Sequence, residues 1–139
     1  MRKVLLLGVA AAAVYLSSSH GTALGLPAIG SAHVHGGTLN CAGLERLWEA
    51  AGGSPSAAFT AAEVAMAESG GHQFTPDNSA MNNNGQPDVG YWQINEGYHP
   101  GLATTDPIGN ANAAIQISRD GTDWSPWVTY STGAYQGKC

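Results

Sequence analysis

The pattern of apolar and polar positions predicts a helix at the start of the central part of the chain. Apolar residues recur at spacings of three and four, as on one face of a helix: Leu44, Leu47, Trp48 and Ala51. The pair Gly52-Gly53 follows, and glycines commonly end helices. We therefore predict a first helix over residues 41–51, with Trp48 in the core.

The next segment predicts either one helix that starts at the N-cap and first-turn proline Ser54-Pro55, or a short turn that leads into a helix from about 60 to 69. Thr60 and Glu63 have the spacing of a capping box, which places Glu63 at the solvent end of this helix. Small apolar residues occupy nearly all of its other positions, as is typical of a buried helix. Glu68 is the exception and lies in the last turn. Because apolar surroundings and the negative end of the helix dipole both disfavour a carboxylate, we predict a raised pKa and a general acid at Glu68.

The rest of the central part predicts a loop, a small β-element and a third helix. Residues 72–89 are rich in Asn and Gly, which is typical of a loop, and 89–95 predicts a strand or a strand-like hairpin. Asp106-Pro107 is a helix start. The predicted inner face of that helix is Ile108, Ala111 and Ile115, with an end at Asp120-Gly121. We expect short helical turns in the aromatic tail that follows.

The N-terminal residues have the pattern of a secretory signal peptide. Two basic residues precede thirteen apolar ones over 4–16, a stretch short for a membrane span. We predict a signal peptide over 1–25 with cleavage between 22 and 32, a linker over 26–40 and a folded domain over 41–139. A retained membrane anchor is the alternative.

His33 and His35 have no carboxylate or cysteine beside them, so we predict no metal site and no cofactor.

Charge and cysteine content narrow the class of partner. After removal of the signal peptide, three basic residues stand against ten acidic ones, giving a net charge of −7. Without a basic patch, nucleic acid is not an expected partner. Cys41 and Cys139 are the two cysteines, and in an exported protein such a pair favours a disulfide over two free thiols.

Four motifs in order resemble the lytic transglycosylase domain of the lysozyme-like superfamily. They are Glu68-Ser69-Gly70-Gly71, Gly90-Tyr91-Trp92-Gln93-Ile94-Asn95, Asp106-Pro107 with Asn110-Ala111, and Gly133-Ala134-Tyr135. The segment Leu47-Trp48-Glu49-Ala50-Ala51-Gly52-Gly53 is similar to the start of the compact variety found in actinobacteria and their phages. The resemblance covers about residues 41–137. It implies a mainly α, lysozyme-like α+β fold with a substrate cleft and a minor β-element.

The resemblance also implies a function and a set of site residues. It implies cleavage of the β-1,4 bond between N-acetylmuramic acid and N-acetylglucosamine in peptidoglycan, with Glu68 as the catalytic acid. Tyr135 would hydrogen-bond that carboxyl, although its motif is one residue shorter than in the family and Tyr130 is the fallback. The predicted sugar-binding residues are Ser69, Asn83, Gly90, Tyr91, Trp92, Gln93 and Asn95.

Alternatives to a transglycosylase remain open from the sequence. A hydrolytic lysozyme needs a second carboxylate to hold a water molecule, and Asp88 is the first candidate, ahead of Asp77 and Glu96. A wall-binding or virion module with a weak active site is the alternative from another class. We expect a monomer without stable membrane insertion after leader removal, secreted to the cell wall or associated with a phage virion.

Overall fold

The computed structural model describes residues 37–139. The elements in this part of the chain are α1 (Cys41–Ala50), α2 (Ala58–Ser69), β1 (Asp88–Val89), β2 (Ile94–Asn95), α3 (Pro107–Ile117) and α4 (Val128–Ser131). The fold is therefore mainly helical with a minor β-element, as predicted. The predicted signal peptide and the predicted linker up to residue 36, with His33 and His35, lie outside the described residues.

The predicted first helix is confirmed as α1. The side chain of Asn40 caps it by accepting a hydrogen bond from the Gly43 N–H at 2.9 Å. Leu44 and Trp48 are fully buried on its inner face. Just before α1, the Leu39 N–H donates to the Gly71 carbonyl at 2.8 Å, which attaches the chain entering α1 to the end of α2.

The second helix is confirmed as α2, and a short turn over 55–57 leads into it, which is one of the two predicted arrangements. It begins at Ala58, and its N-cap Ala57 makes no side-chain cap, so the predicted capping box is wrong. Thr60 lies inside the helix. Glu63 is buried, and its Oε1 accepts a hydrogen bond from the Gly137 N–H at 2.8 Å. A carboxylate predicted at the solvent end instead binds the C-terminal tail.

The β-element and α3 lie against each other. β1 and β2 pair antiparallel, with Asp88 opposite Asn95 and Val89 opposite Ile94, which confirms the predicted hairpin. The side chain of Asp106 caps α3 at the Gly109 N–H, also as predicted. The inner face of α3 is as predicted at Ala111, which is fully buried, and at Ile115, which packs partly buried against the core. The prediction is wrong at Ile108, which is 41% exposed, and the other buried residues of α3 are Asn110, Ala113 and Ala114.

The core is built around a cluster of four buried tryptophans. Trp48 contacts Trp92 and Trp124 at ring-centroid distances of 6.2 and 5.6 Å, and Trp124 contacts Trp127 at 5.2 Å. Three of their indole N–H groups donate to backbone carbonyls. The Trp48 indole donates to the Ser54 carbonyl, the Trp92 indole to the Ala61 carbonyl and the Trp127 indole to the Trp92 carbonyl. Buried indoles need such partners. The small alanines of α2 and α3 leave room for these large rings.

A buried amide attaches the hairpin to α3. Asn110 is fully buried, and its Oδ1 accepts from the Trp92 N–H at 3.1 Å while its Nδ2 donates to the Val89 carbonyl at 3.1 Å. Gly90 stands directly against this amide. A Cβ at Gly90 would lie 2.2 Å from Asn110, and its φ of +76° is one that other residues rarely adopt. The tight turn at Gly90 therefore allows the amide to reach both sides of the hairpin.

Cys41 and Cys139 form a disulfide that joins the start of α1 to the last residue. The bridge closes almost the whole described domain into one loop, with a sequence separation of 98. Within residues 37–139, no helix has the length and apolar character needed to cross a membrane.

Loss of the Asn110 amide should destabilise the domain strongly. Asn110→Ala leaves the Trp92 N–H and the Val89 carbonyl buried without partners, and each such orphan costs about 1–3 kcal/mol. We expect the free energy of unfolding, measured by urea titration, to fall by about 2–4 kcal/mol. Asn112→Ala, on the half-exposed side of the same helix, should change it by less than about 0.5 kcal/mol. Equal losses of unfolding free energy in the two variants would contradict the stabilising role given to the buried Asn110 amide.

Removal of the disulfide should also lower stability, for a different reason. Replacing both Cys41 and Cys139 with Ser frees a loop of 98 residues, for which the chain-entropy model gives a loss of about 4–5 kcal/mol. The urea midpoint of the double variant should match that of the reduced wild-type protein. A midpoint equal to that of the oxidised wild type would show that the bridge does not stabilise the domain.

Candidate active site

An open cleft of about 220 Å³ contains four of the predicted site residues, namely Glu68, Asp88, Gln93 and Asn95. It lies where the end of α2, the loop before the hairpin, the hairpin, the loop after the hairpin and the segment around α4 come together. Its lining consists of Glu68, Asn82, Asp88, Gln93, Ile94, Asn95, Tyr98, His99, Pro126, Trp127 and Val128.

Glu68 enters this cleft from the last turn of α2. The helix ends immediately afterwards, because Gly70 takes the left-handed conformation with φ +62° and its N–H donates to the Met66 carbonyl. The Glu68 carboxyl is half-buried, and its Oε1 accepts a hydrogen bond from the Thr129 hydroxyl at 2.5 Å. Two elements far apart in sequence, α2 and α4, therefore define the position of this carboxyl.

The surroundings of Glu68 raise its pKa above the ordinary value of 4.5. Desolvation by burial is the largest cause, because water is removed from the charged form. The Thr129 hydrogen bond opposes this by favouring the carboxylate, and the negative charge of Asp88 adds to the rise. A carboxyl with such a pKa keeps its proton at a pH where most carboxyls have lost theirs, as a general acid requires.

Asp88, the predicted alternative second carboxylate, lines the same cleft. It belongs to β1, and its Oδ1 accepts a hydrogen bond from the Asn95 amide on the opposite strand at 2.9 Å. Asn95 also accepts hydrogen bonds from the Asn84 amide and from the Gly97 N–H. Asn95 lines the cleft, but its side-chain oxygen and nitrogen already make these hydrogen bonds. The residue therefore orients the loop and Asp88.

Gln93 lies in the turn between the two strands and also lines the cleft. Its φ is +50°, in the left-handed region that costs a non-glycine residue roughly 1–2 kcal/mol. Its Nε2 donates to the Gly90 carbonyl at 2.8 Å. Backbone strain of this kind is concentrated at functional sites, which is consistent with the predicted contact between Gln93 and sugar.

The structure places five other predicted sugar-binding residues outside the cleft lining. Ser69 is buried and bridges the end of α2, donating to the Ala65 carbonyl and accepting from the Gly71 N–H. Gly90, Tyr91 and Trp92 are buried in the core, where glycan has no access. Asn83 is exposed on the loop, and its neighbour Asn82 faces the cleft instead.

The predicted tyrosine partner of Glu68 is also elsewhere. Tyr135 stacks on Tyr130, with ring centroids 4.5 Å apart and planes 22° apart. Within residues 37–139, the side-chain hydrogen bond to the Glu68 carboxyl comes from Thr129, and none comes from either tyrosine. The phenol of Tyr135 raises the pKa of its neighbour Tyr130. The pair therefore belongs to the packing of the tail behind the site.

Sequence reasoning did not select several residues that complete the cleft. They are Asn82, Tyr98, His99, Pro126, Trp127, Val128 and, beneath Glu68, Thr129. Tyr98 is 70% exposed and Val128 is 74% exposed, so both present apolar surface to the opening. An exposed aromatic beside an amide-rich loop was a usable signal for Tyr98. Nothing local distinguishes Thr129 from the other hydroxyl residues of the tail.

The described residues show no metal centre. No group of three or more His, Cys, Asp and Glu side chains within 37–139 could hold an ion.

The fold and the site together define a small helical domain with one raised-pKa carboxyl in an amide-lined cleft. The family model for the lysozyme-like domain matches residues 45–129. The chain therefore belongs to the lysozyme-like domain family. The searches of curated proteins and of solved structures gave no significant match. Family membership supports glycosidase or transglycosylase activity on peptidoglycan at the level of the superfamily.

The raised pKa of Glu68 predicts a pH-dependent difference in stability. Because the folded protein binds this proton more tightly than the unfolded chain, the wild type loses stability as pH rises through and above 4.5. Glu68→Gln removes this titration and keeps an oxygen that accepts from Thr129. We expect the variant to gain stability relative to the wild type between pH 4 and pH 8, measured by urea unfolding at each pH. A constant difference would contradict the raised pKa.

Proposed function

We propose that this protein is an exported enzyme that cleaves the β-1,4 bond between N-acetylmuramic acid and N-acetylglucosamine in peptidoglycan. Glu68 is its single general acid and base, and the product carries a 1,6-anhydro end. The observation that carries the proposal is the raised pKa of a carboxyl that opens into an amide-lined cleft.

The reaction begins with the neutral form of Glu68. The acid donates its proton to the glycosidic oxygen while the bond from that oxygen to C1 of the muramic sugar breaks. The resulting carboxylate then removes the proton of the C6 hydroxyl of the same sugar, and O6 forms a bond to C1. Glu68 recovers its proton, so the enzyme is unchanged and no water is consumed. The N-acetyl group of the substrate shields the positive centre at C1.

The remaining lining suits a neutral sugar chain. Asn82 and Gln93 offer amide groups, which bind hydroxyls without the cost of burying a charge. Tyr98, which is exposed, offers aromatic surface for the apolar face of a sugar ring. Among the described residues that line the cleft there is no lysine or arginine, so binding depends on contact more than on attraction between charges.

A hydrolytic lysozyme is the second candidate, and one observation favours it. Asp88 lies in the same cleft as Glu68 and affects its pKa. An inverting hydrolase holds its water between carboxyls about 6.5–9.5 Å apart. In the transglycosylase mechanism the charge of Asp88 has a different use, since it helps Glu68 to keep its proton. A wall-binding or virion module with little activity remains the alternative outside the enzymes.

The proposed location is outside the cytoplasm, at the cell wall or in a phage virion. The Cys41–Cys139 disulfide supports export, because such bridges persist in oxidising compartments. The N-terminal signal pattern points the same way. We propose a monomer acting on glycan strands.

Glu68→Gln should abolish cleavage of purified sacculi while leaving the fold intact. The amide has the shape of the acid but cannot donate the required proton, so activity should fall by about 100-fold or more. The matched control is Glu63→Gln on the same helix, whose amide oxygen still accepts from Gly137. Turbidity clearance measures both variants against wild type. Full activity of Glu68→Gln would refute the proposed acid.

The masses of the released muropeptides distinguish the two enzyme mechanisms. A transglycosylase gives 1,6-anhydro ends, and Asp88→Asn should keep both this product and its activity, with the alkaline limb of the pH profile moved to lower pH. The shift follows because Asp88 helps to raise the pKa of Glu68. Products with only reducing ends, lost entirely in Asp88→Asn, would establish the hydrolase instead.

A further inference from the structure

The hydroxyl donor to Glu68 comes from a place in the chain that the family resemblance did not indicate. Thr129 lies in α4, directly before Tyr130, and donates to the Glu68 Oε1 at 2.5 Å. The predicted tyrosine is engaged in the stack with Tyr130 behind the site. A threonine that follows the cleft-lining residue Val128 thus takes the place expected for a phenol.

The backbone that carries Thr129 is fixed by contacts outside the cleft. The Trp127 indole, at the N-cap of α4, donates to the Trp92 carbonyl at 2.9 Å in the core. The Tyr135 N–H donates to the Thr129 carbonyl at 3.2 Å. The hydroxyl is therefore held in position before any ligand enters.

A donor on one carboxyl oxygen influences where the acid proton resides. Because the Thr129 hydroxyl donates to Oε1, the more basic carbonyl-type oxygen of the neutral acid is favoured at Oε1 and the proton is favoured on Oε2. Building on the proposed function, we propose that Thr129 is a positioning residue that directs the acid proton of Glu68 to Oε2 and so to the glycosidic oxygen. The same hydroxyl binds the carboxylate after proton transfer, which returns Glu68 to the same orientation for the second step.

The proposal has a consequence for titration that simple packing would lack. The Thr129 hydrogen bond lowers the pKa of Glu68 against the opposing effect of burial. Its loss should raise the pKa further, whatever the state of the other titratable side chains in the cleft, which are Asp88, Tyr98 and His99. A threonine that only filled space could be replaced by valine without this change.

The test compares three variants of the full chain. Thr129→Val removes the hydroxyl at nearly constant shape, Thr129→Ser keeps it, and Thr132→Val removes an exposed hydroxyl one turn further along, which binds the Val128 carbonyl. Carbon-13 NMR follows the Glu68 carboxyl carbon, assigned by its absence in Glu68→Gln, from pH 3 to pH 9. The pH profile of sacculus cleavage is measured in parallel.

We expect Thr129→Val to raise the pKa of Glu68 and to move the alkaline limb of kcat/KM to higher pH by the same amount. The kcat at the new optimum should fall by about tenfold with KM within about twofold, as for a group that orients the reacting atoms. Thr129→Ser should restore both, and Thr132→Val should match wild type.

An unchanged or lowered pKa in Thr129→Val would overturn the inference, even with cleavage intact. If valine at this position prevents folding, seen as loss of near-ultraviolet circular dichroism, the serine variant decides. Thr129→Ser must then keep the wild-type pKa and kcat, and a loss of either overturns the inference. Failure of the wild type to cleave sacculi would refute the proposed function, while the NMR titration would still decide whether Thr129 sets the proton affinity of Glu68.

Discussion

The arrangement of this domain depends on the three hydrogen bonds of Trp92. Its indole donates to the Ala61 carbonyl of α2, its N–H donates to the Asn110 side chain of α3, and its carbonyl accepts from the Trp127 indole beside α4. One residue in the hairpin turn thereby connects the hairpin to α2, to α3 and to the N-cap of α4. Because each bond is buried, an alternative packing would leave strong donors and acceptors without partners. The cleft keeps its form for this reason, although its lining comes from five segments of the chain.

The chemistry of the cleft follows from a carboxyl placed against apolar surface without a cation nearby. A lysine or arginine beside Glu68 would favour the carboxylate and remove the acid. The lining instead offers Asp88, which has the opposite effect, and the domain as a whole carries ten acidic residues and three basic ones. The hydrogen bond from Thr129 acts in the opposite direction and lowers the pKa of Glu68. Burial, which is the largest cause, and Asp88 of β1 therefore raise this pKa, while Thr129 of α4 lowers it.

Local signals in the sequence predicted much of the fold and four of the eleven residues that line the cleft. The spacing of Leu44 and Trp48 and the Asp106 cap act within one helical turn, so α1 and the start of α3 were predictable. The exposure of Ile108 was not, because it depends on how α3 lies against α1 and β2 and not on the spacing of apolar residues along the chain. Glu68 was predictable from its place at the end of an apolar helix. Thr129 was not, because its contact spans 61 residues and depends on the path of the tail.

The disulfide between Cys41 and Cys139 affects how the domain tolerates a change in the order of its chain segments. Their Cα atoms lie 5.6 Å apart, so the two ends of the folded region are neighbours in space. A domain with adjacent ends accepts circular permutation, in which a short peptide joins the old termini and new ones open elsewhere. Gly85, exposed at the tip of the amide-rich loop with open space around it, is a suitable opening. The same geometry allows such a module to be inserted into a surface loop of another protein with little distortion of the host.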